Sequence, residues 1–328
     1  MPLLLSDPDV RRLATMRGAI DALAEALADE ATGDVVVGHR ANLMLPNGWI
    51  RLAAAALPKQ AVLGYKEFHL IAGHGVRYSI QLYDYEAGHL VALIDGNHIT
   101  ALRTGATGGV ALSHLAPEDV VTVGIIGSGG EARTQLEAFA AVRTAKRGVV
   151  FSPSRERRER YCNEMEQVAR FELRPAESPD EVAREADVLL VATHTREAGP
   201  ALSGRWLHAG MHINSIGSTL PIQREIDEQT WAVADLIVVD TPALFEESGD
   251  AIAARAAGTI DDGKVAQLRD VVARRVAGRR DETQTTLYKS VGTPLQDIVT
   301  AAYVYVEARR SGVGREIDDY QSLKAVAP

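Results

Sequence analysis

This sequence has almost no cysteine, few aromatic residues, no long apolar run and no excess of positive charge. A single cysteine, Cys162, among 328 residues leaves no internal disulfide and no thiolate zinc cluster, which suits a reducing, cytoplasmic setting. The first residues, Met1-Pro2-Leu3-Leu4-Leu5-Ser6-Asp7, have too short an apolar run to predict a secretory leader. Nothing approaches the roughly 18 apolar residues of a membrane span. Lys and Arg number 35 against 44 Asp and Glu, the wrong balance for a surface that tracks nucleic-acid phosphates. What remains is a globular chain, 46% apolar and long enough for two domains, that is expected to act on a small molecule.

The most informative stretch runs from Val120 to Ala132: Val-Val-Thr-Val-Gly-Ile-Ile-Gly-Ser-Gly-Gly-Glu-Ala. An apolar, β-branched run ends in Gly-x-Gly-x-x-Ala and opens directly into a helix-like segment. Gly127 permits a tight turn, Gly129 lets the backbone approach a pyrophosphate, and Ala132 keeps the helix close to the strand. The diphosphate would sit on the helix N-terminus, where unpaired N–H groups point outward. Strand and helix patterns then alternate: Val120–Ile126, a helix from Ala132, Gly148–Phe151, a charged helix from Glu156, then Val188–Thr193, Gly210–Ile216 and Leu236–Asp240. Such alternation predicts an α/β, doubly wound parallel sheet of the Rossmann kind.

Cofactor preference is read at the end of the second strand, where an acid would bind the adenosine ribose of NAD. The chain there reads Val150-Phe151-Ser152-Pro153-Ser154-Arg155, followed by Arg157 and Arg158. Ser152, Ser154 and Arg155 suit a 2′-phosphate, so NADP(H) is favoured, with NAD(H) as the competitor. The plainer alternative makes these arginines the solvated face of a helix that also carries Glu156 and Glu159.

Upstream, Val10, Leu13, Ile20, Leu23 and Leu27 follow one helical period that Gly33 closes. Val35 to Leu57 and Ala61 to Leu93 read as antiparallel strands with turns such as Pro46-Asn47-Gly48. Thr100 to Leu115 returns to helix, and Leu295 to Val304 is apolar, helix-like and able to cross back to the first domain. His208 and His212 have helical i, i+4 spacing, but Gly210 and a strand pattern oppose a helix, so no metal site is predicted.

Ile99-Thr100-Ala101-Leu102-Arg103-Thr104-Gly105-Ala106-Thr107 closely resembles the signature of the ornithine cyclodeaminase and mu-crystallin family. Gly64-Tyr65-Lys66, Ile213-Asn214-Ser215-Ile216-Gly217-Ser218 and Lys289-Ser290-Val291-Gly292 extend the resemblance, in the family's order, over nearly the whole chain. It implies a homodimer in which residues 1–116 with 301–328 form a mixed α+β domain for substrate binding and dimerisation. Residues 117–300 would be the dinucleotide-binding domain. The family's substrate-carboxylate arginines fall on Arg40 and Arg103, and its active-site lysine on Lys66, with His69 expected near the same pocket. Its cofactor contacts fall on Thr104, Gly127, Ser128, Gly129, Gly130, Glu131, Ser152, Thr193, Ser215, Ile216, Gly217, Ser290, Val291 and Gly292. One departure stands out: where cyclising members resemble one another in carrying an aspartate, this chain has Thr219, in reach of substrate but no base at neutral pH.

The resemblance also implies chemistry on the Cα–N bond of an amino acid or its imine. Guanidinium groups at Arg40 and Arg103 would hold the carboxylate through bidentate hydrogen bonds. Lys66 would protonate the imine nitrogen, its pKa lowered by the two like charges and by partial burial. The leading expectation is NAD(P)H-dependent imine reduction or the reverse amino-acid dehydrogenation. The alternatives are cyclodeamination with loss of ammonia and a cofactor-dependent binding protein without turnover.

Overall fold

The computed structural model describes residues 1–193, 195, 199–318, 321 and 324, and its contacts divide the chain into two units. One comprises Met1–Arg103 and Thr293–Pro328, the other Thr104–Gly292. Both junctions fall earlier in the chain than 116/117 and 300/301: the first lies inside the helix that begins at Asn97, and the second at the turn before the last long helix rather than in its middle.

The first unit is built on a mixed sheet. Its strands are β1 (Leu3–Leu5), β2 (Val36–Val37), β3 (Ala41–Leu45), β4 (Gly48–Leu57), β5 (Val62–Ile71), β6 (Gly75–Asp84) and β7 (Leu90–Asp95). β4 through β7 form an antiparallel meander, β3 pairs with β4 across the Pro46-Asn47 turn, and β1 joins β7 in parallel. Two helices, α1 (Asp7–Leu13) and α2 (Met16–Thr32), replace the single helix that the periodicity predicts. The break has a local cause: Thr15 leaves helical geometry and its hydroxyl accepts the Gly18 N–H at 3.1 Å, capping a new helix. α2 buries Ala19, Ile20, Leu23 and Leu27, and Gly33 ends it as expected.

Helix α3 (Asn97–Leu115) carries residues of both units. The second unit then alternates as predicted. Strands β8 (Thr122–Ile126), β9 (Arg147–Phe151), β10 (Glu172–Pro175), β11 (Val188–Val191), β12 (His212–Ser215), β13 (Leu236–Val239), β14 (Val265–Gln267) and β15 (Thr286–Lys289) are connected through α4 (Gly130–Val142), α5 (Arg155–Ala169), α6 (Pro179–Glu185), α7 (Glu228–Val233), α8 (Leu244–Glu247), α9 (Gly249–Ala256) and α10 (Leu268–Val272). The sheet is wholly parallel, in the order β10-β9-β8-β11-β12-β15-β13-β14. β8, β11, β12, β13 and β15 are buried at every residue, the mark of strands covered on both faces. The order reverses between β8 and β11, and a nucleotide belongs in the crevice at the carboxyl ends of those strands.

The last helix, α11 (Pro294–Ser311), returns to the first unit and packs on α2, β4 and β5. Tyr303 ties it to the α2 cap, its hydroxyl 3.1 Å from that of Thr15. A short edge strand, β16 (Arg315–Glu316), follows beside β1. Among the described residues no helix is long and apolar enough to cross a membrane.

Candidate active site and cofactor cradle

In the first unit, alternation along β5 puts Lys66 and Phe68 on one face and Glu67 and His69 on the other. Lys66 is 1% exposed. Its ammonium donates to the Thr100 hydroxyl at 2.8 Å and to Asp297 Oδ1 at 3.0 Å. It also stands 4.9 Å from the ring centres of Phe68 and Tyr78, which stack on each other across β5 and β6. The Thr100 hydroxyl donates its own hydrogen bond to the Gly96 carbonyl at 2.6 Å, so its lone pairs face the lysine.

Arg103 lies one helical turn after Thr100 on α3. Its Nε donates to the same Asp297 oxygen at 3.1 Å and its Nη1 to Gln296 at 3.0 Å. Gln296 and Asp297 occupy the first turn of α11, where the helix dipole favours a negative charge. Arg40, half-buried between β2 and β3, completes the group: its charge is felt by both Lys66 and Asp297. The three cationic residues named from the sequence therefore converge. His69 does not join them; it faces the other way and pairs with Glu67 at 2.6 Å.

Burial pushes the Lys66 ammonium down to about 8, Asp297 opposes that shift, and the like charges of Arg103 and Arg40 add to it. Burial alone would raise the Asp297 carboxyl, but Lys66, Arg103 and Arg40 together hold it below its ordinary value. The lysine shifts in the expected direction, but burial rather than like charge dominates, and the carboxylate is an addition to the residues that the sequence singles out. A signal existed in the sequence: an aspartate inside the apolar Leu295–Val304 helix is costly to bury unless it is paired.

In the second unit, the expected cofactor contacts lie at the carboxyl ends of β8, β9, β11, β12 and β15, with Thr104 apart on α3. Gly127 has φ +121°, and a Cβ there would meet the Ala192 carbonyl oxygen at 2.2 Å, so only glycine fits this turn. Gly129 and Gly130 have open space where side chains would project, at the start of α4. That is the cradle a diphosphate needs. Ser128 donates to Ser152 at 3.0 Å, closing the loop after β8 onto the end of β9. Ser154 caps α5 by accepting the Arg157 N–H, and exposed Arg155 pairs with Glu159 at 2.8 Å. Arg158 is buried and clamps the Ser152 carbonyl and Glu177, a structural task. Ser290 donates to Asp240 at 2.6 Å, and Asp240 also receives the Val291 and Gly292 N–H groups. The Thr104 carbonyl accepts from Gln135 at 3.1 Å. The Thr219 N–H donates to the Gln223 side chain at 3.0 Å. His212, fully buried on β12 between Thr286 and Asn214, has its ring pushed down to about 3 by burial, a neutral core histidine.

Residues 2–312 match the sequence pattern of the ornithine cyclodeaminase/mu-crystallin family. The chain belongs to that family. It is 30% identical, over 96% of its length and 99% of the relative, to a Delta(1)-pyrroline-2-carboxylate reductase of Bacillus cereus. The Thermococcus litoralis Delta(1)-pyrroline-2-carboxylate reductase, solved with NADH and L-proline, superposes with a TM-score of 0.90 at 34% identity, covering 96% of this chain and all (100%) of that one. An archaeal alanine dehydrogenase dimer with bound NAD superposes with a TM-score of 0.90 at 28% identity, covering 97% of this chain and 99% of its own. The Rossmann sheet and the mixed companion sheet are thus the family's architecture, and its members of this kind are oxidoreductases of C–N bonds.

Proposed function

We propose that this protein reduces a 2-imino acid, cyclic or open, to the amino acid with a reduced nicotinamide cofactor, and runs the reverse dehydrogenation when the amino acid is in excess. The observation that carries this reading is the meeting of Lys66 and Arg103 on Asp297, with the charge of Arg40 felt by Lys66 and Asp297 alike. Arg103 and Arg40 hold the substrate carboxylate, as planar guanidinium donors do best. An imine accepts hydride readily only when its nitrogen is protonated, and Lys66 supplies that proton from an ammonium whose pKa, about 8, is close to working pH. Asp297 and Thr100 keep the ammonium charged and aimed. The nicotinamide, when bound, supplies the hydride. The open cradle at Gly129 and Gly130 and the start of α4 fit its diphosphate.

NADP(H) is favoured because β9 ends in Ser152 without an acid, and because Arg157 is exposed without an ion pair among the described residues. A homodimer fits the exposed Leu43, Met44 and Leu52 of the first unit's sheet, and the buried thiol of Cys162 fits a cytoplasmic setting. Thr219, engaged by Gln223 and lacking a basic oxygen, counts against cyclodeamination.

The test is a panel of imino acids, Delta(1)-pyrroline-2-carboxylate and the open imines of 2-oxo acids with ammonia, following reduced cofactor by absorbance with NADH and NADPH in parallel. Consumption with at least one substrate is expected, with the lower KM for NADPH. No oxidation with any of them refutes the enzyme reading, and a lower KM for NADH refutes the cofactor preference. Proline formed from ornithine with catalytic NAD would replace it by cyclodeamination.

A further inference from the structure

The second unit holds a buried group of ionisable residues used by none of the chemistry above: Lys289, Asp250 and Glu225, each no more than 1% exposed. Lys289, the last residue of β15, donates to the Ser215 hydroxyl at 2.9 Å and pairs with Asp250 Oδ2 at 3.0 Å and Glu225 Oε2 at 3.8 Å. Asp250, in the first turn of α9, accepts the backbone N–H groups of Glu225 and Ile226 at 2.7 and 3.2 Å and lies 3.5 Å from Arg224. The carboxyl of Glu225, so anchored, accepts the backbone N–H groups of Gly217 and Thr193. Those two amides belong to different loops, one following β12 and the other following β11. Gly217 is glycine for the same reason: a Cβ there would meet the Thr193 carbonyl at 2.1 Å and the Glu225 carboxyl at 2.3 Å.

A doubly wound sheet binds a dinucleotide in two mononucleotide halves, and the loops after β11 and β12 belong to the half opposite the Gly127 turn. We propose that Glu225 is a positioning residue for the nicotinamide half of the cofactor, locking the Thr193 and Gly217 loops together, with Lys289 and Asp250 as its brace. The inference rests on the reading of Thr193 and Ser215–Gly217 as cofactor contacts. Burial and the nearby Asp250 charge push the Glu225 carboxyl up to about 8, against the pull of Lys289, so a neutral glutamine is a close mimic of its protonated form.

The experiment measures binding of NADH, by fluorescence, and of AMP, by calorimetry, to wild-type, Glu225→Gln, Glu225→Ala and Glu225→Asp proteins, with Tm recorded for each. Glu225→Ala is expected to weaken NADH at least about 10-fold while AMP stays within about 2-fold, and Glu225→Gln to keep NADH within about 3-fold. Should the alanine variant not fold, Glu225→Asp, which withdraws the carboxyl by one methylene, carries the test and is expected to weaken NADH about 5-fold with AMP unchanged. Unaltered NADH affinity in the folded variants overturns the proposal. So does an equal loss of AMP, which would mark Glu225 as a general support of the fold. A wild-type protein that binds neither NADH nor NADPH would instead overturn the cofactor reading on which the proposal rests.

Discussion

Replacing Asp297 by asparagine removes a charge while keeping the shape of the side chain, and so isolates what that carboxylate does to Lys66. At 3.0 Å and an effective dielectric of about 20, the pair attracts by on the order of 5 kcal/mol, roughly 4 pH units before relaxation. The asparagine dipole and rearranged solvent would recover part of this, leaving a fall of at least about 2 units from the present value near 8. The sign follows from burial: a depressed lysine is ammonium below its pKa and loses the proton as pH rises through it. Reductive kcat/KM in the wild type should therefore be level below about 8 and fall above it. In Asp297→Asn the fall moves to lower pH. At about pH 7.5 the ammonium fraction would drop from roughly three quarters to a few per cent, a loss on the order of 25-fold in rate. The oxidative direction needs neutral lysine as base, so its kcat at that pH should hold or rise. Arg103 loses the charge of its ion-pair partner as well, so KM for the imino acid should increase. Full pH–rate profiles in both directions measure all of this. A reductive limb that stays near 8 in the variant would refute the role given to Asp297, and with it the assignment of that limb to Lys66.

Gly127→Ala should abolish measurable cofactor binding and lower stability by at least about 1–3 kcal/mol, since its Cβ strikes a carbonyl at positive φ; isothermal titration and thermal melting check it. Burial pushes the Cys162 thiol up to about 11, so at about pH 8 a thiol reagent should label it roughly 100-fold more slowly than a small free thiol. Labelling at the free-thiol rate would mean that α5 opens far more readily than its packing among Leu136, Phe139 and Tyr161 allows.

Much of the cofactor-binding unit was legible because its signals are local. Gly127 to Ala132 encode a turn and a helix start within a few residues, and β11 and β13 announce themselves as unbroken apolar runs. β15, which completes the middle of the same sheet, escaped notice because Thr286 to Lys289 ends in a lysine that looks solvated and is instead fully buried. The helix break at Thr15 was hidden for the opposite reason: apolar spacing continued across a cap that a single hydroxyl makes. Likewise Arg155 and Arg158, three residues apart in a charged run, have unrelated fates, one on the surface and one clamping a carbonyl.

Sequence alone determined the doubly wound unit, its glycine turn and the residue types at the strand ends, since each depends on backbone geometry within one segment. It also named Arg40, Lys66 and Arg103, though only as three cations far apart in the chain. That they meet, that Asp297 stands between Lys66 and Arg103, and that Glu225 bridges two loops on a base of Lys289 and Asp250 were decided by the tertiary structure. The reason is physical: the sign and size of a pKa shift, and the partner that makes a buried charge tolerable, depend on distance and desolvation, and neither is written along the chain.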